Sequence, residues 1–170
     1  MAVMPALFTV AEYERLLLPD GRRFELLDGV IVETSPKNDA HIHAVEVLNE
    51  RFSARAQRDG YRVLVQDPVV LQTSMPEPDI VLARRSSRGR RPHADDVLLA
   101  IEVSDTTLAK DRRKLDIFLR EGIVEVWIVD LVRRSVTRYR GNMAPQTVSS
   151  GTMAPVAVPS ATITVEELFL

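Results

Sequence analysis

Cysteine is absent from this chain of 170 residues, which excludes disulfide bonds, thiolate zinc sites and cysteine nucleophiles together. Long hydrophobic runs are absent as well, because no segment approaches the ~18 consecutive apolar residues that a membrane-spanning helix needs. The first residues, Met-Ala-Val-Met-Pro, form neither the basic region nor the apolar region of a signal peptide. We therefore expect a cytoplasmic protein without a membrane segment.

Three common catalytic motifs are missing from the sequence: G-x-S-x-G, the P-loop and G-x-G-x-x-G. Their absence argues against nucleophile-elbow hydrolases, NTPases and dinucleotide-binding enzymes. The net charge is −2, so any binding of nucleic acid would have to come from a local basic patch. The hydrophobic fraction of 45% and the charged fraction of 27% are typical of a globular protein. The length predicts one domain over residues 1–170.

Hydrophobic periodicity predicts an α/β fold with a mixed central sheet flanked by helices. Thr9 and Glu12 form a capping-box pattern that opens a short N-terminal helix over residues 9–17. Asp28-Gly29 is a strong signal for a β-hairpin between two short strands. Beyond the hairpin we predict a helix over 41–58, β-structure over 61–71, strands over 79–82 and 97–104, a helix over 111–121, strands over 124–130 and 135–140, extra C-terminal strands, and a terminal helical turn over 165–170.

Two carboxylates at the edge of, or inside, apolar runs give the clearest functional signal. Pro76 and Pro78 force an extended approach to Asp79 at the start of a strand. Glu102 lies within the run 98–104, where an unpaired buried charge is costly. Two such carboxylates with a lysine nearby predict a hard-metal site that polarises a phosphodiester. The alternatives are a turn residue for Asp79 and a buried cationic partner for Glu102.

The predicted helix over 111–121 supplies the lysine. Asp111 and Lys114 share a helical stripe with Leu115 and Phe118, so both charges would point towards the sheet. The alternative is an ordinary surface ion pair. Glu25 of the first hairpin could reach the same site or remain an exposed carboxylate.

His41 aligns with the apolar stripe of the helix over 41–58, which would leave it close to the sheet in a structural role. His41 and His43 are two residues apart, so a helix would splay them and no HxxxH zinc pair exists. We therefore predict no histidine-based zinc site.

An arginine run, residues 84–91, is the only concentrated positive charge in the sequence. It joins the strand that carries Asp79 to the strand that carries Glu102, so we expect it close to both carboxylates. Guanidinium groups suit phosphate oxygens, although a solvated loop would explain the same composition. The residues predicted to bind nucleic acid are Arg84, Arg85, Arg88, Arg90 and Arg91.

The ordered set of short motifs resembles the PD-(D/E)xK nuclease superfamily and, more narrowly, the Uma-two family of restriction-endonuclease-like proteins. Each motif is short, and the resemblance depends on their order over nearly the whole chain from Thr9 onward. The matching segments are 24–29, His41, 78–80, 101–104, Asp111, Lys114 and 122–130.

The resemblance implies a restriction-endonuclease-like core and a Mg²⁺ or Mn²⁺ ion held by Asp79, Glu102 and the main-chain carbonyl of Val103. The superfamily's usual lysine position, two residues after the glutamate, is occupied here by Ser104. Lys114 on the following helix would then supply the ammonium group. The third acidic residue of the site is either Glu25 or none. The remaining accessory positions are Asp111, Ser104 and His41.

The functional expectation is a metal-dependent endonuclease that hydrolyses the phosphodiester bonds of DNA. Two alternatives remain open: a catalytically degraded nuclease-like module that binds or regulates, and an interaction protein whose buried carboxylates pair with arginines. The exposed strands of the C-terminal half also allow a homodimer.

Overall fold

The structure is a computed structural model, and it describes residues 7–105 and 108–170, the side chains of 108–111 excepted. Its centre is a six-stranded sheet in the order β3-β4-β5-β6-β7-β8. Only β5 and β6 are parallel neighbours, and every other adjacent pair is antiparallel. The strands of this sheet are β3 (Tyr61–Val65), β4 (Ile80–Arg84), β5 (Val97–Ser104), β6 (Val126–Asp130), β7 (Ser135–Tyr139) and β8 (Gln146–Val148).

Two long helices cover opposite faces of the sheet and give the protein two hydrophobic layers. Helix α2 (Asp39–Asp59) packs Leu48 and Phe52 against one face. Helix α3 (Leu108–Arg120) packs Ile117 and Phe118 against the other. The predicted mixed α/β fold with a helix-flanked sheet is therefore confirmed. None of the described helices is long and apolar enough to cross a membrane.

The N-terminal elements follow their sequence signals. Helix α1 (Val10–Tyr13) has the predicted capping box, in which the main-chain N–H of Glu12 donates to Thr9 Oγ1 and the main-chain N–H of Thr9 donates to Glu12 Oε2. The helix is shorter than the predicted 9–17, and the Tyr13 hydroxyl then donates to the carbonyl of Phe24 at 2.7 Å.

The predicted first hairpin is formed by β1 (Phe24–Leu27) and β2 (Val30–Glu33), paired antiparallel. Its turn residues Asp28 and Gly29 both have positive φ, 50° and 74°. That combination defines a type I′ turn, which explains the Asp-Gly sequence. The hairpin is therefore confirmed at the predicted residues.

The β-structure predicted over 61–71, with an interruption at Asp67-Pro68, is present before the interruption, and the part of the prediction that follows it is wrong. Strand β3 ends at Val65, and the next residue, Gln66, has a left-handed φ of 53°. Val69 and Leu71 are nevertheless buried, and they pack in the layer beneath α3 as part of a loop. Their apolar character therefore reflects burial and not strand structure.

The C-terminal segment adds β9 (Thr152–Met153) and β10 (Ile163–Thr164), which pair antiparallel, and a 3₁₀ turn over Val165–Leu168. Val165 and Leu168 are fully buried in the layer that contains α2. The segment therefore completes the core on that face, and the predicted C-terminal strands and helical turn are present.

Candidate active site

The register of β4 and β5 brings the two predicted carboxylates to the same end of the sheet. Ile80 pairs with Ile101 in the antiparallel ladder. Asp79 immediately precedes the first of these residues and Glu102 immediately follows the second. Both side chains line one cleft of about 170 Å³, which has room for an ion and several water molecules.

Asp79 is buried, with 3% of its surface exposed, and is held by several donors. Its Oδ2 accepts hydrogen bonds from His41 Nε2 at 3.0 Å and from the main-chain N–H of Val103 at 2.9 Å. Since an ionised carboxylate only accepts, His41 must carry its hydrogen on Nε2. His41 Nδ1 is buried and has no hydrogen-bond partner among the residues the structure describes.

The other oxygen of Asp79 faces the cleft. Its Oδ1 accepts a hydrogen bond from Gln66 Nε2 at 3.2 Å and lies 3.6 Å from Lys37 Nζ. Burial by itself would raise the pKa of Asp79, but the hydrogen bond from His41 and the positive charges of Lys37 and Lys114 hold that pKa well below its usual range. The carboxylate is therefore ionised at neutral pH.

Lys114 reaches the cleft from α3 and is buried between two carboxylates. Its Nζ lies 2.5 Å from Glu102 Oε1 and 2.7 Å from Glu25 Oε1. Although burial opposes the charged form, the two carboxylates raise the pKa of Lys114, so the ammonium is retained. Burial raises the pKa of Glu102 to about 8, an effect that the ammonium of Lys114 only partly opposes.

The backbone explains why these groups meet. Glu102 and Ala100 alternate with Ile101 along β5, and Ala100 packs in the layer beneath α3, so Glu102 faces the same helix. Glu25, which is 1% exposed, accepts from the main-chain N–H of Glu77 at 2.8 Å. The first hairpin is thereby fixed to the chain that enters β4.

The remaining accessory residues differ in position. Val103 lines the cleft, but the role of its carbonyl as a metal ligand stays a prediction. Ser104 is buried at the end of β5, where it pairs with Asp130, and is not among the residues that line the cleft. Asp111 has its backbone in α3, and its side chain lies outside the described residues.

The arginine run does not lie beside the carboxylates, and this expectation is wrong. It leaves the carboxyl end of β4, whereas Asp79 precedes the amino end of that strand, about 15 Å away at the usual rise per residue. Several members bond to other groups of the protein: Arg90 to Asp96, Arg91 to Glu14, and Arg85 Nη1 to the carbonyl of Gln57. A contact of this run with nucleic acid stays a prediction.

The order of motifs and the cleft they form can be compared with known proteins. The model of the Uma2 family, which carries the description "Putative restriction endonuclease", matches residues 10–166. The chain belongs to the Uma2 family. The resemblance drawn from the sequence is thus confirmed, and families of restriction-endonuclease-like proteins usually use divalent metal ions.

A solved structure supports the fold of this Uma2 chain. The crystal structure titled as a putative nuclease belonging to DUF820, from Anabaena variabilis ATCC 29413, superposes with a TM-score of 0.77. The superposition covers 95% of this chain and 97% of that chain at 16% sequence identity, which shows a shared fold. No curated protein shows a significant match.

The donor set of the Uma2 cleft fits a hard divalent cation. Mg²⁺ is usually bound by one or two carboxylates together with waters, and Asp79 and Glu102 supply two carboxylates within one cleft. Among the described residues no group of three or more His, Cys, Asp or Glu side chains could hold a metal by itself. The ammonium of Lys114 lies within 2.7 Å of a carboxylate oxygen of Glu25 and of Glu102.

Two cleft residues that contact the Asp79 side chain were missed by the sequence analysis. Lys37 and Gln66 both contact Asp79, yet neither belongs to a recognisable motif. Lys37 directly precedes Asn38, the N-cap of α2, and that cap is the one local signal that could have drawn attention to it. Gln66 gives a weaker signal, a polar residue between the apolar end of β3 and an Asp-Pro pair.

Proposed function

We propose that this protein is a metal-dependent endonuclease that hydrolyses the phosphodiester bonds of DNA. The observation that supports the proposal is the convergence of Asp79, Glu102 and Lys114 in one buried cleft, although they come from three separate segments. Burying three ionisable groups together costs stability, and such clusters are more common at functional sites than elsewhere. Membership of the Uma2 family favours the same chemistry.

Asp79 and Glu102 would hold the cation, Mg²⁺ or Mn²⁺, together with the carbonyl oxygen of Val103. When bound, such an ion supplies a Lewis acid that neutralises the charge developing on the scissile phosphate. Asp79 is prepared for this role because its pKa is lowered and it carries its full charge at neutral pH. Glu102 must give up its proton before it can bind, because its pKa is about 8.

Lys114 has a role that its protonation state restricts. Its pKa is raised by Glu102 and Glu25, so it donates hydrogen bonds and cannot accept a proton as a general base. We infer that its ammonium orients the attacking water or stabilises the negative charge on the phosphate. Hydrolysis forms one P–O bond to the water oxygen and breaks one P–O bond to a sugar oxygen, which leaves with a proton.

Glu25 supports Lys114 in this arrangement. Its Oε1 lies 2.7 Å from Lys114 Nζ, and the same oxygen accepts from the main-chain N–H of Glu77. Glu25 therefore ties the ammonium to the segment that leads into Asp79. In this proposal Glu25 keeps a partner for Lys114 when Glu102 binds the cation.

The decisive test is nicking of supercoiled plasmid DNA by purified protein in Mn²⁺ or Mg²⁺. Glu102→Gln and Lys114→Met should each lower the rate by about a hundredfold or more. Glu46→Gln and Arg112→Met are matched controls, because both residues are exposed on α2 and α3. Equal nicking by all five preparations would identify a contaminating nuclease and refute the proposal.

A second assay addresses the nuclease-like module without activity. Titration calorimetry with Mn²⁺ on the wild type measures metal binding independently of cleavage. Binding that is lost in Glu102→Gln, without nicking by the wild type on duplex or single-stranded DNA, would favour a binding or regulatory module. The absence of any binding heat would favour an interaction protein.

A further inference from the structure

Gln66 has a left-handed backbone conformation, which glutamine rarely adopts. Its φ is 53°, and the other non-glycine residues with positive φ among those described are Asp28 and Arg134. Asp28 lies in the type I′ turn of the first hairpin, and Arg134 lies between β6 and β7, which pair as neighbours. Gln66 instead lies where β3 ends beside the cleft. Backbone strain of this kind persists where surrounding contacts hold it, and it is common at functional sites.

Four hydrogen bonds hold Gln66 in this conformation. Its side-chain Oε1 and its main-chain carbonyl accept from Arg23, at 2.6 Å and 3.0 Å. Its side-chain Nε2 and its main-chain N–H donate to Asp79, at 3.2 Å to Oδ1 and 3.2 Å to the carbonyl oxygen. Because arginine has only donors, the amide oxygen must face Arg23 and the amide nitrogen must face Asp79. Arg23 is itself held by Glu77, 2.5 Å away.

These contacts restrict how Asp79 can bind a cation. A carboxylate has about four lone-pair positions. The Oδ2 atom uses two of them for His41 and Val103, and Oδ1 uses one for Gln66. One position remains on Oδ1, and its nearest cation is Lys37 Nζ at 3.6 Å. Asp79 therefore offers the cleft one open acceptor position.

We propose that Gln66 is a positioning residue whose amide, anchored by Arg23, orients Asp79 so that Oδ1 presents one open lone pair to a divalent cation in the cleft. This inference rests on the proposed function and adds to it a residue outside the family motifs. Residues that orient metal ligands typically contribute about ten- to hundredfold to metal affinity or activity.

The test separates the amide from the strained backbone. Gln66→Met keeps a side chain of similar length without the amide, whereas Gln66→Gly removes the side chain and accepts positive φ without strain. Both variants should raise the Kd for Mn²⁺ by about tenfold or more, measured by titration calorimetry on the full chain. The glycine variant should also melt at a higher temperature than the methionine variant. Saturating Mn²⁺ should restore most of the nicking in both.

Arg134→Gly serves as the control, because it relieves positive φ at a residue that does not line the cleft. Its Kd for Mn²⁺ should equal that of the wild type. If the wild type binds Mn²⁺ and nicks DNA, and both Gln66 variants bind Mn²⁺ equally well, the Gln66 proposal is refuted and the proposed function stands. If the wild type binds Mn²⁺ without nicking DNA, the proposed function fails and the comparison of Kd values still decides the role of Gln66. If the wild type binds no Mn²⁺, both fail.

Discussion

Lys114 Nζ lies 2.5 Å from Glu102 Oε1, and the two residues are 3% and 4% exposed. When Glu102 is ionised, a buried ion pair of this kind contributes little net stability, because desolvation of both charges offsets their attraction. Removal of one partner is far more costly than removal of both. The charges of Lys114, Glu102 and Glu25 are therefore coupled. This coupling can be tested by measuring protein stability, without an assay of DNA cleavage.

The first prediction concerns the effect of this coupling on stability. At a pH above 8, where Glu102 is ionised, Lys114→Met should lower the free energy of unfolding by about 3–5 kcal/mol, because it leaves two carboxylates buried without a cation. The triple variant Glu25→Gln, Glu102→Gln, Lys114→Met should recover most of the loss. Urea unfolding followed by circular dichroism measures all three proteins. A triple variant as unstable as Lys114→Met would show that the cost comes from lost packing and not from charge.

The second prediction follows from the pKa of Glu102, which burial raises to about 8 from its usual value near 4.5. A carboxyl group with a raised folded-state pKa stabilises the fold fully below its unfolded pKa, and this contribution is lost as pH rises through the folded value. The contribution of Glu102 to the free energy of unfolding of the metal-free protein should therefore fall as the pH rises from 4.5 to 8. In Glu102→Gln this component should vanish. Parallel pH profiles for the two proteins would contradict the shift.

The same group predicts how pH affects metal binding. Below pH 8 a cation must displace a proton from Glu102, so the Kd for Mn²⁺ should rise up to tenfold for each pH unit of acidification. Asp79 should not contribute in this range, because its pKa is already well below its usual value. Electron paramagnetic resonance of free Mn²⁺ from pH ~6 to ~8 measures the slope. A Kd independent of pH would mean that Glu102 does not bind the ion.

A fourth prediction concerns His41, whose Nε2 donates to Asp79 Oδ2 at 3.0 Å. His41→Ala should weaken Mn²⁺ binding by about tenfold or more, because Asp79 loses a donor that fixes its orientation. His43→Ala is the matched control on the same helix, since His43 bonds instead to the carbonyl of Glu167. Equal Kd values for Mn²⁺ in His41→Ala and His43→Ala would contradict this prediction.

Sequence reasoning located the residues whose chemistry conflicts with their surroundings. A carboxylate inside the apolar strand β5 is costly wherever that strand is buried, so Glu102 stands out without a structure. Lys114 was found through its place on the core-facing stripe of a helix. Both inferences depend only on the local periodicity of apolar residues, which can be read from the sequence without a structure.

Gln66 and the arginine run show what local reasoning cannot reach. The role of Gln66 depends on its partners Arg23 and Asp79, which come from other segments, and on a backbone angle that glutamine does not prefer. The arginine run connects two antiparallel strands, and such a connection lies at one end of the pair. Asp79 precedes the first strand and Glu102 lies late in the second, so both occupy the opposite end. Proximity in sequence was therefore misleading about proximity in space.

The position of the arginine run leads to the last prediction. Arg85 and Arg88 are exposed at the end of the sheet remote from the cleft. The double variant Arg85→Ala, Arg88→Ala should leave the Kd for Mn²⁺ and the maximal nicking rate unchanged.

If DNA reaches this end, the variant should weaken DNA binding uniformly over different sequences. It should also lower the slope of log K against log salt concentration by about one unit for each phosphate that the variant no longer neutralises. Fluorescence anisotropy with a labelled duplex at several salt concentrations measures this slope. A large loss of nicking at saturating DNA would instead place these arginines beside the scissile phosphate, which the direction of β4 contradicts.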